Sequence, residues 1–64
     1  MKLVAQMPND HRRFIIEHDE SVGCYLYVFE DDRCVYDYLQ DTCELAIGQA
    51  FAEFNVPISA WSAG

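Results

Sequence analysis

The chain has 64 residues, of which 52% are hydrophobic and 14% aromatic, and its eleven acidic and four basic residues give a net charge of −7. A chain of this length supports one domain with a thin core, because it buries only about 60% of the surface that its unfolded form exposes. The negative charge repels phosphate backbones and anionic lipid, so neither nucleic-acid nor membrane-surface binding by this chain alone is expected. The apolar content is too high for a disordered acidic tail.

No stretch approaches the roughly 20 apolar residues of a membrane span. The few apolar residues after Lys2 also fall short of a secretory signal, so the sequence predicts a cytoplasmic location. Its three cysteines, Cys24, Cys34 and Cys43, are odd in number and lack a paired CxxC spacing. This pattern favours reduced thiols that pack as small hydrophobic side chains.

Residues 1–11 combine a short apolar start with the turn-forming Pro8, Asn9 and Asp10. They are expected to form a loosely ordered lead-in with a short extended segment at residues 3–5. A first strand is predicted over residues 12–18, whose aromatic and β-branched side chains fit a pleated, half-buried surface.

Two further strands are predicted at residues 24–29 and 34–39, which are rich in Tyr, Val, Phe and Leu. A polar four-residue turn at residues 30–33 would join them as a hairpin, with Phe29 opposite Cys34. The turn has no glycine, and a slip of one residue would exchange the pairing. With the first strand, the hairpin makes a three-stranded antiparallel meander.

Successive side chains of a strand alternate sides, so the predicted hairpin has two unlike faces. The aromatic face carries Tyr25, Tyr27, Phe29, Cys34, Tyr36 and Tyr38. The aliphatic face carries Cys24, Leu26, Val28, Val35, Asp37 and Leu39.

A helix is predicted from Asp41 to about Asn55. Asp41 is a favourable N-cap residue, and Glu44, three positions later, is the acidic partner of a capping box. The apolar side chains that follow recur at helical spacing: Cys43, Ala46, Ile47, Ala50, Phe51 and Phe54. Asn55 tolerates the left-handed conformation that ends helices, and Pro57 cannot continue one.

Residues 56–61 are expected to form a short extended return that brings Trp61 over the edge of the core, and residues 62–64 to be loosely ordered. The predicted fold is a single α+β domain over residues 1–64. It has a three-stranded antiparallel meander followed by one amphipathic helix packed on one face, in the order β-β-β-α.

One helix covers only one face of such a sheet, which leaves the other open. Small aliphatic side chains favour the aliphatic face as the core, since tyrosines tolerate water. Asp37 argues for the opposite choice, because a carboxylate among Leu26, Val35 and Leu39 needs polar partners. Asp37 is therefore a candidate buried or functional carboxylate.

With the aliphatic face inside, five aromatic residues become a candidate protein interface. They are Tyr25, Tyr27, Phe29, Tyr36 and Tyr38. The alternative is that some of these rings belong to the core, or are shielded by residues 1–8 and Trp61.

No residue pattern indicates a catalytic, metal or cofactor site. His11 and His18 have no cysteine or carboxylate at a ligand spacing, and the acidic turn lacks the glycine and spaced oxygens of a calcium loop. A glycine-rich phosphate loop and a nucleophile elbow are also missing. The sequence therefore predicts no enzyme and no cofactor.

The segment YLYVFEDD, followed by a short strand and then QDTCELAIGQAFAEF, resembles HicB-type antitoxins over about residues 13–56. The resemblance implies a partial ribonuclease-H-like β-β-β-α-β fold that binds and blocks a small toxin ribonuclease. Many members add a DNA-binding segment after this fold. The segment GCYLYVFEDDRCVYDYLQDT also looks like small bacterial proteins of uncharacterised function.

The sequence thus predicts a small acidic interaction domain whose aromatic face joins a second copy or a different protein. Two alternatives stay open. One is an antitoxin-like or immunity-like inhibitor of a basic partner, steered by the −7 charge. The other is a small-ligand or enzymatic domain that uses Asp37 and nearby tyrosines.

Overall fold

The computed structural model describes all 64 residues as five strands and one α-helix. The strands are β1 (Lys2–Ala5), β2 (Arg12–Asp19), β3 (Gly23–Glu30), β4 (Arg33–Gln40) and β5 (Ser62–Ala63). The helix α1 spans Cys43–Phe54, and a 3₁₀ turn follows at Ile58–Ala60. All strands lie in one antiparallel sheet, in the order β4-β3-β2-β1-β5. The α+β class is confirmed, and the sheet has five strands instead of three.

The two additional strands lie at the chain ends that the sequence predicted to be loosely ordered. Leu3 of β1 pairs with Ile16 on one side and with Ala63 of β5 on the other. The backbone N–H of Gly64 also donates to the carbonyl oxygen of Lys2 at 2.9 Å. The extended segment predicted at residues 3–5 thus lies within β1, whereas the two residues of β5 show too little alternation to be recognised from their pattern.

The turn of the β3–β4 hairpin has two residues instead of the predicted four. Glu30 pairs with Arg33, and Asp31 and Asp32 form the turn with φ angles of 50° and 66°. Positive φ at both central positions is what a type I′ hairpin turn requires. Asp adopts this conformation more readily than most residues, which compensates for the missing glycine.

A β-bulge in β4 shifts the register of the hairpin by one residue. Phe29 pairs with Cys34, as predicted, but Val28 pairs with Tyr36. Val35 is therefore the extra residue of the bulge. From this point each residue of β4 lies one position away from its predicted partner and points to the opposite face of the sheet.

Helix α1 packs on one face of the sheet, here called the inner face, and encloses the core. The buried residues are all apolar: Ala5, Phe14, Ile16, Cys24, Leu26, Val28, Ala46, Ala50 and Val56. For β2 and β3 this is the aliphatic face that the sequence favoured as the core.

The helix starts one residue later than predicted. Thr42 is extended, and its hydroxyl oxygen accepts a hydrogen bond from the Leu45 N–H at 3.1 Å. Thr42 is therefore the N-cap in place of Asp41. Glu44 lies in the first turn, one position short of the capping-box position, where its charge still favours the positive end of the helix dipole.

The helix ends where the sequence predicted. Asn55 is left-handed with φ of 58°, and its N–H donates to the Phe51 carbonyl oxygen at 3.2 Å. This turn directs Val56 into the core, and Trp61 then packs against the core partly buried, as expected of the return. Phe51 itself was placed on the inward stripe but is 56% exposed.

A disulfide bond joins Cys24 of β3 to Cys43 in the first turn of α1, with Cα atoms 5.1 Å apart. The prediction of three reduced thiols is therefore wrong for this pair. Cys24 is fully buried, so the bond fastens the start of α1 to the inner face of the sheet. Cys34 is a free, exposed thiol.

Asp10, in the connection between β1 and β2, binds Arg12 through its carboxylate. Its two carboxylate oxygens accept hydrogen bonds from the Arg12 guanidinium at 3.0 and 2.9 Å, and one also accepts the Arg12 backbone N–H at 2.9 Å. The side-chain bond and then the backbone bond lower the pKa of Asp10 from 3.8 to about 2.

Because the folded pKa is depressed, Asp10 should stabilise the fold at neutral pH and lose this contribution as pH falls from about 4 to about 2. The carboxylate is 17% exposed, so we expect about 1 kcal/mol after solvent screening. Urea unfolding of wild type and Asp10→Asn should give separate midpoints at neutral pH that converge at the acid end. Midpoints with a constant offset at every pH would contradict this role.

Candidate interaction surface

The outer face of the sheet, opposite α1, is covered by no other part of the chain. Helix α1 contacts β2, β3 and β4, and the 3₁₀ turn contacts α1. Both therefore lie on the inner side. A sheet with one face on the core and the other open is a common antiparallel arrangement, in which the open face is usually polar.

The open face of this sheet carries an apolar centre instead. Tyr25 and Tyr27 stack with ring centroids 5.7 Å apart, and the Arg13 guanidinium lies over the Phe29 ring at 5.4 Å. Ile15 pairs with Tyr27 across β2 and β3. We call Ile15, Tyr25, Tyr27 and Phe29 the outer stripe. Each of these side chains is half-buried by its neighbours.

This crowding affects the Tyr27 hydroxyl. Partial burial, followed by the nearby Glu17 carboxylate, raises the pKa of Tyr27 above its ordinary value of 10.0. The hydroxyl therefore stays neutral over the physiological range, and the middle of the outer stripe carries no charge of its own.

The structure divides the five predicted interface residues between the two faces. Tyr25, Tyr27 and Phe29 lie on the outer face. Tyr36 and Tyr38 lie on the inner face, with ring centroids 5.7 and 6.4 Å from that of Phe54 in α1. The prediction that all five share a face is wrong, because the bulge at Val35 turns the later side chains of β4 to the opposite face and leaves those of β3 where they were predicted.

Asp37 is exposed on the outer face, opposite Tyr27. It is not a buried carboxylate, and the predicted difficulty of placing it in the core disappears with the bulge. Leu39, two residues further along β4, lies opposite Tyr25 and is 50% exposed. Both residues therefore flank the outer stripe. The unbulged register had assigned these two positions to Tyr36 and Tyr38.

Charges on the outer face are nearly balanced. The cross-strand register places two basic and three acidic side chains there: Lys2, Arg13, Glu17, Asp19 and Asp37. This face thus holds one of the seven net negative charges of the chain. The others lie elsewhere, so the outer face is the least acidic broad surface of the sheet and its helix.

The exposed side of α1 has a different character. Leu45 and Phe51 are 52% and 56% exposed, and the helix has an acidic first turn and no basic residue in its last turn. Glu53 adds a second carboxylate to the helix. This surface combines apolar side chains with acidic ones only.

The molecule has one concavity, of about 310 Å³, at the hairpin tip, where Glu30, Asp31 and Arg33 line it. No three His, Cys, Asp or Glu side chains converge so that they could hold a metal ion. At twelve residues α1 is the longest helix, and none has the length and apolar character that a membrane crossing needs. Comparison of the chain with family models, curated proteins and solved structures finds no match.

Proposed function

We propose that the protein is a small interaction domain that associates with a second copy of itself through the outer face of its sheet. The outer stripe carries this proposal, because it is an apolar patch at the centre of a face that nothing covers. Contiguous apolar surface of this kind marks protein interfaces. Two such faces pack about 10 Å apart in sheet-on-sheet assemblies.

The size of the face suits a dimer of modest affinity. Three strands of eight residues, with the shorter β1 beside them, cover roughly 26 by 19 Å at the usual rise and spacing of strands. Two such faces would bury on the order of 1,000 Å² or more in total, near the lower limit for specific interfaces. We therefore expect a dissociation constant in the micromolar range.

The charge distribution favours a second copy on this face. With only one of the seven net charges on the outer face, most of the repulsion between two copies comes from more distant acids. Salt screens such repulsion, with a Debye length of about 8 Å at physiological ionic strength. The repulsion between two copies should therefore weaken as salt is added.

A Tyr27→Glu change is expected to weaken self-association at least about thirtyfold, since it places a carboxylate at the centre of the apolar contact. Tyr36→Glu is the matched control, because it makes the same change on the inner side, where Tyr36 is 48% exposed. Sedimentation from micromolar to millimolar concentration measures the dimer, and circular dichroism checks the fold. A wild type that stays monomeric, or equal effects of the two variants, would refute the proposal.

A second candidate function is an antitoxin-like or immunity-like inhibitor of a basic protein. The exposed side of α1 supports it, because Leu45 and Phe51 lie there among acidic residues only. Attraction between unlike charges weakens with salt, so such a complex should dissociate more readily as salt is added. The enzymatic alternative gains no support, since Asp37 lies on an open face away from the concavity at the hairpin tip.

A further inference from the structure

We infer that two copies meet with two-fold symmetry, β2 of one copy running antiparallel to β2 of the other, and that Arg13 and Glu17 determine this arrangement by pairing between copies. The inference rests on the proposed function and adds the geometry of the contact and the residues that select the partner. It follows from the order of side chains on the outer face.

Three cross-strand pairs of β2 and β3 form the centre of this face. In order along the strands they are Arg13–Phe29, Ile15–Tyr27 and Glu17–Tyr25. The middle pair carries no charge. The two flanking pairs each combine an aromatic ring with a charge, and the charges are opposite in sign.

This order is self-complementary. The two-fold axis lies in the plane between the two sheets, perpendicular to the strands, and crosses them at the Ile15–Tyr27 pair. A rotation of 180° about this axis exchanges the two flanking pairs. Arg13 then faces Glu17 of the second copy, and by symmetry Glu17 faces Arg13, so the ion pair forms twice. Phe29 likewise faces Tyr25 twice, in reach of an aromatic contact.

Arg13 and Glu17 are both free for such pairing. They lie four residues apart on one strand, about 13 Å, which exceeds the Debye length at physiological salt. Neither makes a salt bridge within the chain, where the ion pair is Arg12–Asp10 and His11 lies 4.0 Å from Glu30. Lys2 is the cross-strand neighbour of Glu17 but does not come within salt-bridge distance of it. Arg13 is already held over the Phe29 ring at 5.4 Å, which positions its guanidinium above the outer stripe.

A two-fold axis parallel to the strands along β3 lacks this complementarity. It would place β2 against β4, so that Ile15 meets Asp37 and Arg13 meets the uncharged Cys34. The antiparallel arrangement does bring Asp37 opposite the same residue of the second copy. That contact lies on the edge strand β4, where water screens it.

Charge exchange between the two positions tests the inference. Arg13→Glu creates two Glu–Glu contacts and Glu17→Arg two Arg–Arg contacts, and each change should raise the dimer dissociation constant at least about tenfold. The double variant Arg13→Glu/Glu17→Arg should return to within about threefold of wild type. An equimolar mixture of the two single variants should also associate like wild type, because every contact again joins Glu to Arg.

Glu20→Arg is the control for net charge, since it makes the same charge change as Glu17→Arg at an exposed turn outside the three pairs. It should leave the dimer at least as tight as wild type. If wild type dimerises and Tyr27→Glu is monomeric, but neither the double variant nor the mixture restores association, the two-fold arrangement is wrong and the proposed function stands. A monomeric wild type removes both.

Discussion

Replacement of Cys24 and Cys43 by alanine is expected to lower the free energy of unfolding by about 3 kcal/mol. The bond spans 19 residues of sequence, and a crosslink that closes a loop of this size stabilises by about that amount. A 64-residue domain has a total stability of only about 3–10 kcal/mol. We therefore expect the variant to be partly unfolded at physiological temperature.

Urea unfolding with and without a reductant measures this effect. Reduced wild type and the double variant should have the same urea midpoint, clearly lower than that of oxidised wild type. Cys34→Ala serves as the control, because Cys34 is exposed and unpaired and its removal should change neither curve. Alkylation followed by mass measurement reports whether the bond has opened. A fully alkylated wild type with an unchanged midpoint would contradict the prediction.

The same bond bears on the predicted cytoplasmic location. Disulfides persist mainly in oxidising compartments, and reducing systems keep most cytosolic thiols free. A chain that works in the cytoplasm would have to hold α1 on the sheet without this crosslink. Association with a second copy would then contribute stability by mass action, so that folding and dimerisation would depend on each other.

Gly23→Ala is expected to destabilise the fold by roughly 1–3 kcal/mol from backbone conformation alone, and further through a steric clash. Gly23 has φ of 128°, which side chains of other residues rarely allow. A Cβ atom at this position would overlap the carbonyl oxygen of Gln40, the last residue of β4 before the segment that leads into α1. The clash is with backbone, so relief requires a shift of that segment.

Gly48→Ala makes the same chemical change with the opposite expected sign. Gly48 lies inside α1, and a Cβ there would meet nothing within 4 Å. The substitution should stabilise the helix by up to about 1 kcal/mol, which corresponds to a rise of about 4–8 °C in Tm for a domain of this size. Thermal unfolding of both variants tests the pair, and a neutral Gly23→Ala would show that the β4–α1 segment adjusts freely.

The parts of the fold that follow from local pattern could be predicted from the sequence. Strands β2 and β3 are each rich in aromatic and aliphatic side chains, and α1 has a long apolar stripe and a left-handed Asn55 at its end. These signals are repeated over many residues, so single exceptions do not obscure them. The N-cap moved by one residue, because Asp41 and Thr42 are both favourable capping residues and only the geometry selects between them.

The candidate surface was less accessible to sequence reasoning. Its β3 half, Tyr25, Tyr27 and Phe29, was identified correctly as one face of a strand. Its β4 half depended on a turn in which Asp31 and Asp32 both adopt positive φ, and on one unpaired residue, Val35. No composition or spacing distinguishes that turn from the predicted longer one. The Cys24–Cys43 bond was missed for a related reason, since it depends on where α1 docks.

The bulge at Val35 makes the pairing of β4 as informative as its side chains. Removal of this one residue would close the bulge and leave Tyr36 opposite Val28, so the later residues of β4 would keep their present faces. A pairing that takes Val35 into the ladder would instead turn Tyr36 and Tyr38 outward and Asp37 and Leu39 towards α1. The bulge therefore decides which side chains of β4 lie beside the outer stripe, and its loss without the loss of a residue would change this surface more than a point substitution does.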